Sequence, residues 1–438
     1  MQFNKIPYVL ACCWLLHFST ANAESNLEHL SIAEAQQLFH TNNKELLAAQ
    51  RVLQGTEANA ISAGQKPNPN LSMGVSSFNL NRGEANKNIT NNSNSLQDQT
   101  LNTTLQISQL IERGDKRELR IAASKNAVQA SQLDLKDAER QLLLALNNAY
   151  YDLLLAQEIE KVQITNVSLY EKTLQAAELR LKAGDIASSD VARIRVDLLK
   201  TKNDLRQAEA NRQKAQVNLG YLIGQENEAA RINAQDSWPD LNNGVAQQTQ
   251  NVDARPDVLA AEARTKQAEE NQRLANALNT RDVNIALQYQ HFPGQYPGAG
   301  ENTVGAAISI PLFTNYQYQG EIARAEVDLT AAMEAKAQAR AAAISEVTRA
   351  YADLQSATEK AQRFDTQILS EAQKASDAAE FAYNHGATGI TDLLDSRRVL
   401  RALQLDAAIV RADFAKALAA WKSAVSTEST ASTEPKPQ

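Results

Sequence analysis

Two periodicities divide this chain. Four short stretches alternate apolar and polar residues one by one, the period of a strand with two unlike faces. In 70–78, Leu71, Met73 and Val75 stand against Ser72, Gly74 and Ser76. In 101–108, Leu101, Leu105 and Ile107 oppose Asn102, Thr104, Gln106 and Ser108. A third stretch sets Val283, Ile285, Leu287 and Tyr289 against Asn284, Gln288 and Gln290, and a fourth sets Val304, Ala306, Ile308 and Ile310 against Gly305 and Ser309. Elsewhere core-like residues recur at spacings of three and four. Leu142, Leu146, Ala149, Leu153 and Ala156 lead to Val167, Tyr170, Leu174, Ala177 and Leu181, with Glu160 and Gln163 as interruptions. The beat resumes after Gly184 from Val191 to Leu222, broken at Thr201 and Arg212, and again from Leu393 to Trp421, broken at Ser396. A seven-residue repeat makes helices supercoil around their neighbours. No proline falls between Pro69 and Pro239 or between Pro311 and Pro435. Residues 116–181 therefore read as one helix of roughly 100 Å.

The elements come in a repeated order. Leu47, Ala48 and Ala49 recur as Leu259, Ala260 and Ala261, and the same offset pairs Glu57 with Glu269 and Ala63 with Ala275. Ile107 and Ser108 match Ile308 and Ser309 at a smaller offset, so the first copy has the longer loop between its strands. Ala177, Glu178, Gly184 and Asp190 then match Ala379, Glu380, Gly386 and Asp392 at an offset one residue larger. The reading is a duplication, with a first repeat over 24–240 and a second over 241–425. Each copy runs helix, strand, loop, strand, long helix, glycine turn, helix. Ser31 and Glu34 form a capping box that opens the first helix, and the loops 79–98 and 291–302 are rich in Asn and Gly.

The amino terminus changes the compartment. Lys5, an apolar run over 6–18 and the Ala21-Asn22-Ala23 site read as a secretory signal over 1–23. Residues 9–12 also resemble a lipoprotein box, which would leave Cys12 lipidated. Cleavage after Ala23 removes both cysteines, Cys12 and Cys13, so packing or oligomerisation must stabilise the remainder. Aromatics are 5% of the 438 residues while 43% are hydrophobic, mostly Ala and Leu, as closely packed helices require. With 44 Lys+Arg against 51 Asp+Glu the net charge is −7, which argues against a nucleic-acid surface. No later run is apolar enough for a membrane helix, and the tail 426–438, rich in Ser, Thr, Glu and Pro, reads as disordered.

Alternating strands in a secreted chain fit a membrane β-barrel wall, apolar outward and polar toward a lumen. An amphipathic hairpin on a soluble core would also alternate, and the helices alone fit a solvent-spanning coiled-coil rod. Closure weighs for the barrel. Four strands cannot close one, open edges are not viable in lipid, and three copies would supply twelve strands.

At this point the chain resembles the TolC family of outer membrane efflux proteins, from residue 30 to about 425. Residues 108–117 are similar to the strand-to-helix segment of the cobalt-zinc-cadmium, CzcC-like, branch, with Leu110 where proline is usual and Asp115 where glycine is usual. Residues 179–191 and 383–395 resemble the family's two helical turns, and 251–257 the opening of its second repeat. The resemblance implies a mainly α fold with a small β part: a trimeric barrel with four transmembrane strands per chain and a long helical extension into the periplasm. It implies an outer membrane location among lipid, a homotrimer, a periplasmic adaptor (membrane fusion) protein and an inner-membrane RND-type pump as partners. It implies no cofactor. By motif position Asp392 and Asp395 match the paired aspartates of the second turn and Asp190 the partner position of the first, at a closed periplasmic entrance. Gly184, Asp185 and Gly386 match helical-turn positions that meet the adaptor. The family archetype has an arginine where this chain has Thr388, so its latch across the turns is not carried over.

Acidic rings at a constriction favour cations. Asp190 and Asp392 also sit where an acid would serve a helix dipole. The five histidines are scattered and His385 reads as a surface turn residue. No phosphate-binding Gly-Lys loop and no nucleophile–base set is present, so an enzyme is not expected. The expected function is a passive efflux duct for divalent metal cations. Its alternatives are the same duct for drugs or secreted proteins, and a periplasmic coiled-coil adaptor that conducts nothing.

Overall fold

The protein's computed structural model describes residues 27–76, 102–241, 251–292 and 301–425. The signal segment with Cys12, the loop 79–98, Phe78, Leu101, most of the loop 291–302 and the tail 426–438 lie outside the described residues. The helices are α1 (Ile32–Asn42), α2 (Lys44–Ala63), α3 (Lys116–Lys182), α4 (Ser188–Leu222), α5 (Pro256–Ala277), α6 (Gln319–Arg363), α7 (Leu369–Asn384) and α8 (Ile390–Val425). The strands are β1 (Asn70–Ser76), β2 (Asn102–Ile111), β3 (Val283–His291) and β4 (Asn302–Ser309). None of the described helices is long and apolar enough to cross a membrane. The described residues fall into two compact units, one of those up to 41 with 149–238 and one of those in 42–148 with those from 239 on.

In the first unit the capping box forms as expected. Ser31 N donates to Glu34 Oε2 at 2.9 Å and Glu34 N to Ser31 Oγ at 3.3 Å; the bond from Ser31 N, then that from its hydroxyl, holds the Glu34 carboxyl below its ordinary range. The segment after α4 is pinned through Asp236, whose Oδ2 accepts from Ile32 N at 2.6 Å and lies 2.7 Å from the Tyr150 hydroxyl. Burial, then the bond to Asp236, pushes that phenol up, so it stays protonated. The Trp238 indole N–H donates to Glu158 at 2.7 Å and its ring stacks on Tyr151. The interruptions of the helical beat have partners or burial of their own. Arg212 pairs with Glu160 at 2.8 Å, the Thr201 hydroxyl bonds back to Asp197 O, and Gln163 is buried in the stripe.

The second unit contains the sheet, in the order β1-β2-β3-β4 with every pair antiparallel. It also contains a helix break that periodicity does not reveal. Asn43 follows α1 and caps α2, accepting from Leu46 N at 2.8 Å. A π-turn, Phe364–Ile368, separates α6 from α7. On α6 the stripe Val347, Ala350, Leu354, Ala357 and Ala361 packs against Phe414, Leu418, Trp421 and Ala424 of α8. The small alanines allow the close approach that supercoiled helices need.

The carboxyl end of α8 is held by a buried ion network. Arg255, 1% exposed, donates to Asp257 at 2.8 Å, to Glu346 at 2.8 Å and to Ala424 O at 3.2 Å. Arg140 reaches Glu346 and Asp137 from α3. Burial pushes the Glu346 carboxyl up, but the bond and charge of Arg255 and the charge of Arg140 outweigh it and hold it below the ordinary carboxylate range. A carboxyl lowered in this way contributes stability that is whole above its ordinary pKa and is lost as pH falls through the folded value. Arg255→Ala should therefore lower stability by about 1–3 kcal/mol at neutral pH, since it removes a buried guanidinium's charged hydrogen bonds to two half-buried carboxylates. The deficit should shrink in acid, as the Glu346 carboxyl protonates. Thermal unfolding in detergent at pH 7 and pH 3.5 measures both, and a deficit independent of pH would remove the network from this role.

Candidate functional site

The sheet presents two unlike faces across all four strands. The paired register aligns Met73, Leu105, Tyr289 and Val304 in one row and Leu71, Ile107, Leu287 and Ala306 in the next. The large side chains of this face are exposed, from Leu105 at 38% to Val304 at 79%. The alternate positions form rows of Ser72, Gln106, Gln288 and Gly305, and of Gly74, Thr104, Gln290 and Thr303. One surface is suited to hydrocarbon and the other to water. The edge strands β1 and β4 have no outer partner among the described residues.

The two helical turns share one geometry, each within its own unit. Gly184 (φ +84) closes α3: its N–H bonds Leu181 O and that of Asp185 bonds Arg180 O. Gly386 (φ +72) closes α7 through bonds to Tyr383 O and from Ala387 N to Ala382 O. Both are Schellman closures, in which glycine takes the left-handed conformation at no steric cost. Asp185 is exposed just after its glycine. Asp190 and Asp392 each stand third in the helix that follows, α4 and α8, and neither has an ion-pair partner among the described residues. Asp395 does: Arg398 lies 2.6 Å away. Thus the structure brings Asp392 and Asp395 onto one turn of α8, while Asp190 belongs to the other unit. The Thr388 hydroxyl has no partner among the described residues. His385 is used locally, its Nδ1 2.8 Å from Phe381 O and its ring against Phe381. No group of His, Cys, Asp or Glu able to hold a metal occurs among the described residues.

Sequence reasoning missed an ion pair beside each turn. Arg195 of α4 meets Glu178 of α3 at 2.8 Å, and Arg397 of α8 meets Glu380 of α7 at 3.2 Å. The two arginines match at the same offset as the two glutamates. That shared offset was the available signal.

The comparisons with known proteins fit this geometry. The outer membrane efflux protein family model matches residues 36–225 and 248–426. The chain belongs to that family. It is 25% identical to the cobalt-zinc-cadmium resistance protein CzcC of Cupriavidus metallidurans, over 85% of this chain and 84% of the relative. It is 23% identical to the pyoverdine export outer membrane protein OpmQ of Pseudomonas aeruginosa, over 84% and 79%. Among solved structures, the outer-membrane channel OprN superposes with a TM-score of 0.76 at 19% identity, covering 90% of this chain and 89% of that one. The fold is that of TolC-like outer membrane channels, which are not an enzyme family.

The ion pairs beside the turns differ in burial. The Arg397 side chain is 8% exposed, whereas that of Arg195 is 59% exposed. Arg397→Ala should cost about 1–2 kcal/mol and loosen the α7–α8 turn, whereas Arg195→Ala should cost under about 0.5 kcal/mol. Hydrogen exchange of the two turns measures this, and equal protection losses would contradict it.

Proposed function

We propose that this chain is the outer membrane duct of a tripartite efflux system, a passive homotrimeric exit from the periplasm. The carrying observation is the apolar face exposed across four strands whose two edges lack partners among the described residues. Three copies joined edge to edge would close a twelve-stranded wall with the Ser, Thr and Gln rows toward the lumen. The two repeats, 24–240 and 241–425, would each contribute one strand pair and one helical hairpin, with the hairpins in the periplasm. Gly184, Asp185 and Gly386 would meet a periplasmic adaptor, and an RND-type pump in the inner membrane would supply energy, since no phosphate-binding loop is present in the chain. No catalytic role is assigned.

The cargo is divalent metal cations in this reading, supported by the likeness to CzcC and by acid residues at the turns. Asp190, Asp392 and Asp395 would line the periplasmic entrance. Because Arg398 already pairs with Asp395, Asp392 is the stronger cation site of the two. A second cargo, a drug or an exported compound such as the pyoverdine of OpmQ, is favoured by the nearly equal likeness to that relative.

In planar bilayers the purified protein should conduct only after detergent extraction, and Asp392→Ala should raise the concentration of multivalent cations needed for block several-fold, more than Asp395→Ala does. Unchanged block would end the acidic-ring assignment, and a detergent-free, non-conducting protein would end the duct reading. Deletion strains should become sensitive to divalent metals; sensitivity confined to organic toxicants would transfer the cargo to the second reading.

A further inference from the structure

The helix-side end of the sheet has a charge imbalance. The last pair of the β2–β3 ladder is Ile111 with Val283, on the apolar face. Two residues beyond that pair on either strand, at the same parity, stand Arg113 and Arg281. Both are exposed. The nearby acids are already engaged. Glu112 holds Arg120 through two bonds of 2.6 and 2.8 Å. Asp282 accepts from Lys116 Nζ and from Arg113 N, both at 2.9 Å. Asp115 pairs with neither arginine. The two guanidinium groups are thus without a carboxylate partner among the described residues.

Apolar and aromatic groups adjoin them. The Arg281 guanidinium lies 5.5 Å from the centre of the Phe313 ring. Phe313 packs edge-on against Tyr318, which in turn meets Tyr316. Leu312 is 74% exposed. Aromatic rings beside cations, at the end of an apolar strand face, are the composition of a membrane–water interface. Arginine's planar fork matches phosphate oxygens better than water does.

We propose that Arg113 and Arg281, flanked by the Phe313 and Tyr318 rings, bind the phosphodiester headgroup of a phospholipid in the leaflet on the helical side. This rests on the barrel reading above. A neighbouring copy is a poor occupant, because both arginines extend the central strands β2 and β3, whereas copies would join at β1 and β4. The site would fix the depth of the wall in the bilayer at its helical end.

Delipidated full-length protein in detergent, titrated with phosphatidylglycerol and read by native mass spectrometry, tests this. Wild type should retain phosphatidylglycerol and release diacylglycerol, which lacks the phosphate. Arg113→Gln with Arg281→Gln should weaken retention roughly 25-fold, at about fivefold per basic group. Lys at both positions should restore most of it. Conductance and trimer mass should not change. Equal retention in the Gln pair overturns the proposal, as does displacement of the lipid by inorganic phosphate or equal retention of diacylglycerol. If these fail while the wild type conducts as a trimer, only the lipid site falls. A wild type that neither takes up detergent nor conducts removes the barrel reading, and the site with it.

Discussion

Two unsatisfied strand edges constrain everything else in this molecule. Along the paired registers the inner backbone groups of the four strands meet inside the sheet, but the outer rows of β1 and β4 have no partner strand among the described residues. In hydrocarbon each such group costs several kcal/mol, so a four-stranded ribbon cannot stand alone there. The strand number makes a shared solution possible. Because four antiparallel strands leave β1 and β4 running in opposite directions, identical copies can join edge to edge without breaking the alternation. An odd number would force a parallel pair at every seam. The apolar face, exposed from Met73 through Val304, needs the same environment that makes the edges intolerable.

The register of β2 against β3 is not set by a hairpin, since residues 112–282, with α3, α4 and α5, separate the two. It is set where strands meet helices. Lys116, at the first position of α3, buries its ammonium on Thr280 O and Asp282, while Arg113 N donates to the same carboxylate. Gly114 (φ +74) lets the backbone approach Thr280 so closely that a Cβ would lie 2.8 Å from it. The next residue, Asp115, also has a positive φ, +54. Glycine is the usual residue there in the resembling segment, and aspartate is one of the few others that tolerate the conformation. The departure noted in the sequence therefore keeps the backbone that the junction needs.

Much of the fold was legible because it follows from faces. Alternation located the four strands to within about three residues, and the unbroken helical run placed the start of α3 at Lys116 and its end just before Gly184. Pairings between elements were not legible. Glu160 and Arg212 looked like two separate faults in the beat and are one ion pair. The Arg397–Glu380 pair joins positions whose partnership depends on how two helices cross, which one strand of text does not state. The Asn43 break was missed because Asn43 is a cap inside an otherwise helical run, and a cap competes with helix continuation only locally. Gly184 and Gly386 stand at turns, as the repeat suggested, but the sequence did not distinguish Asp395, which has Arg398 beside it, from Asp392, which has no such neighbour among the described residues.

The π-turn has a physical explanation in the repeat. In α3 the packing positions Leu142, Leu146, Ala149, Leu153, Ala156 and Glu160 correspond, at one constant offset, to Ala343, Val347, Ala350, Leu354, Ala357 and Ala361 in α6. Farther along, Tyr170, Leu174, Ala177 and Leu181 correspond to Ala372, Ser376, Ala379 and Tyr383 at an offset one residue larger. On the proposed duplication, the second long helix holds one residue more than the first, between Ala361 and Ala372. A regular α-helix would pass that residue on as a rotation of everything beyond it, turning the packing face of α7 away from α8. A π-turn has more residues per turn and takes up the extra one in place. Phe364–Ile368 is that turn, and Arg411 of α8 holds Asp365 within it at 2.7 Å. The face is then restored before the helix ends, so that Gly386 and Asp392 meet the chain reversal in the same phase as Gly184 and Asp190 do in theirs.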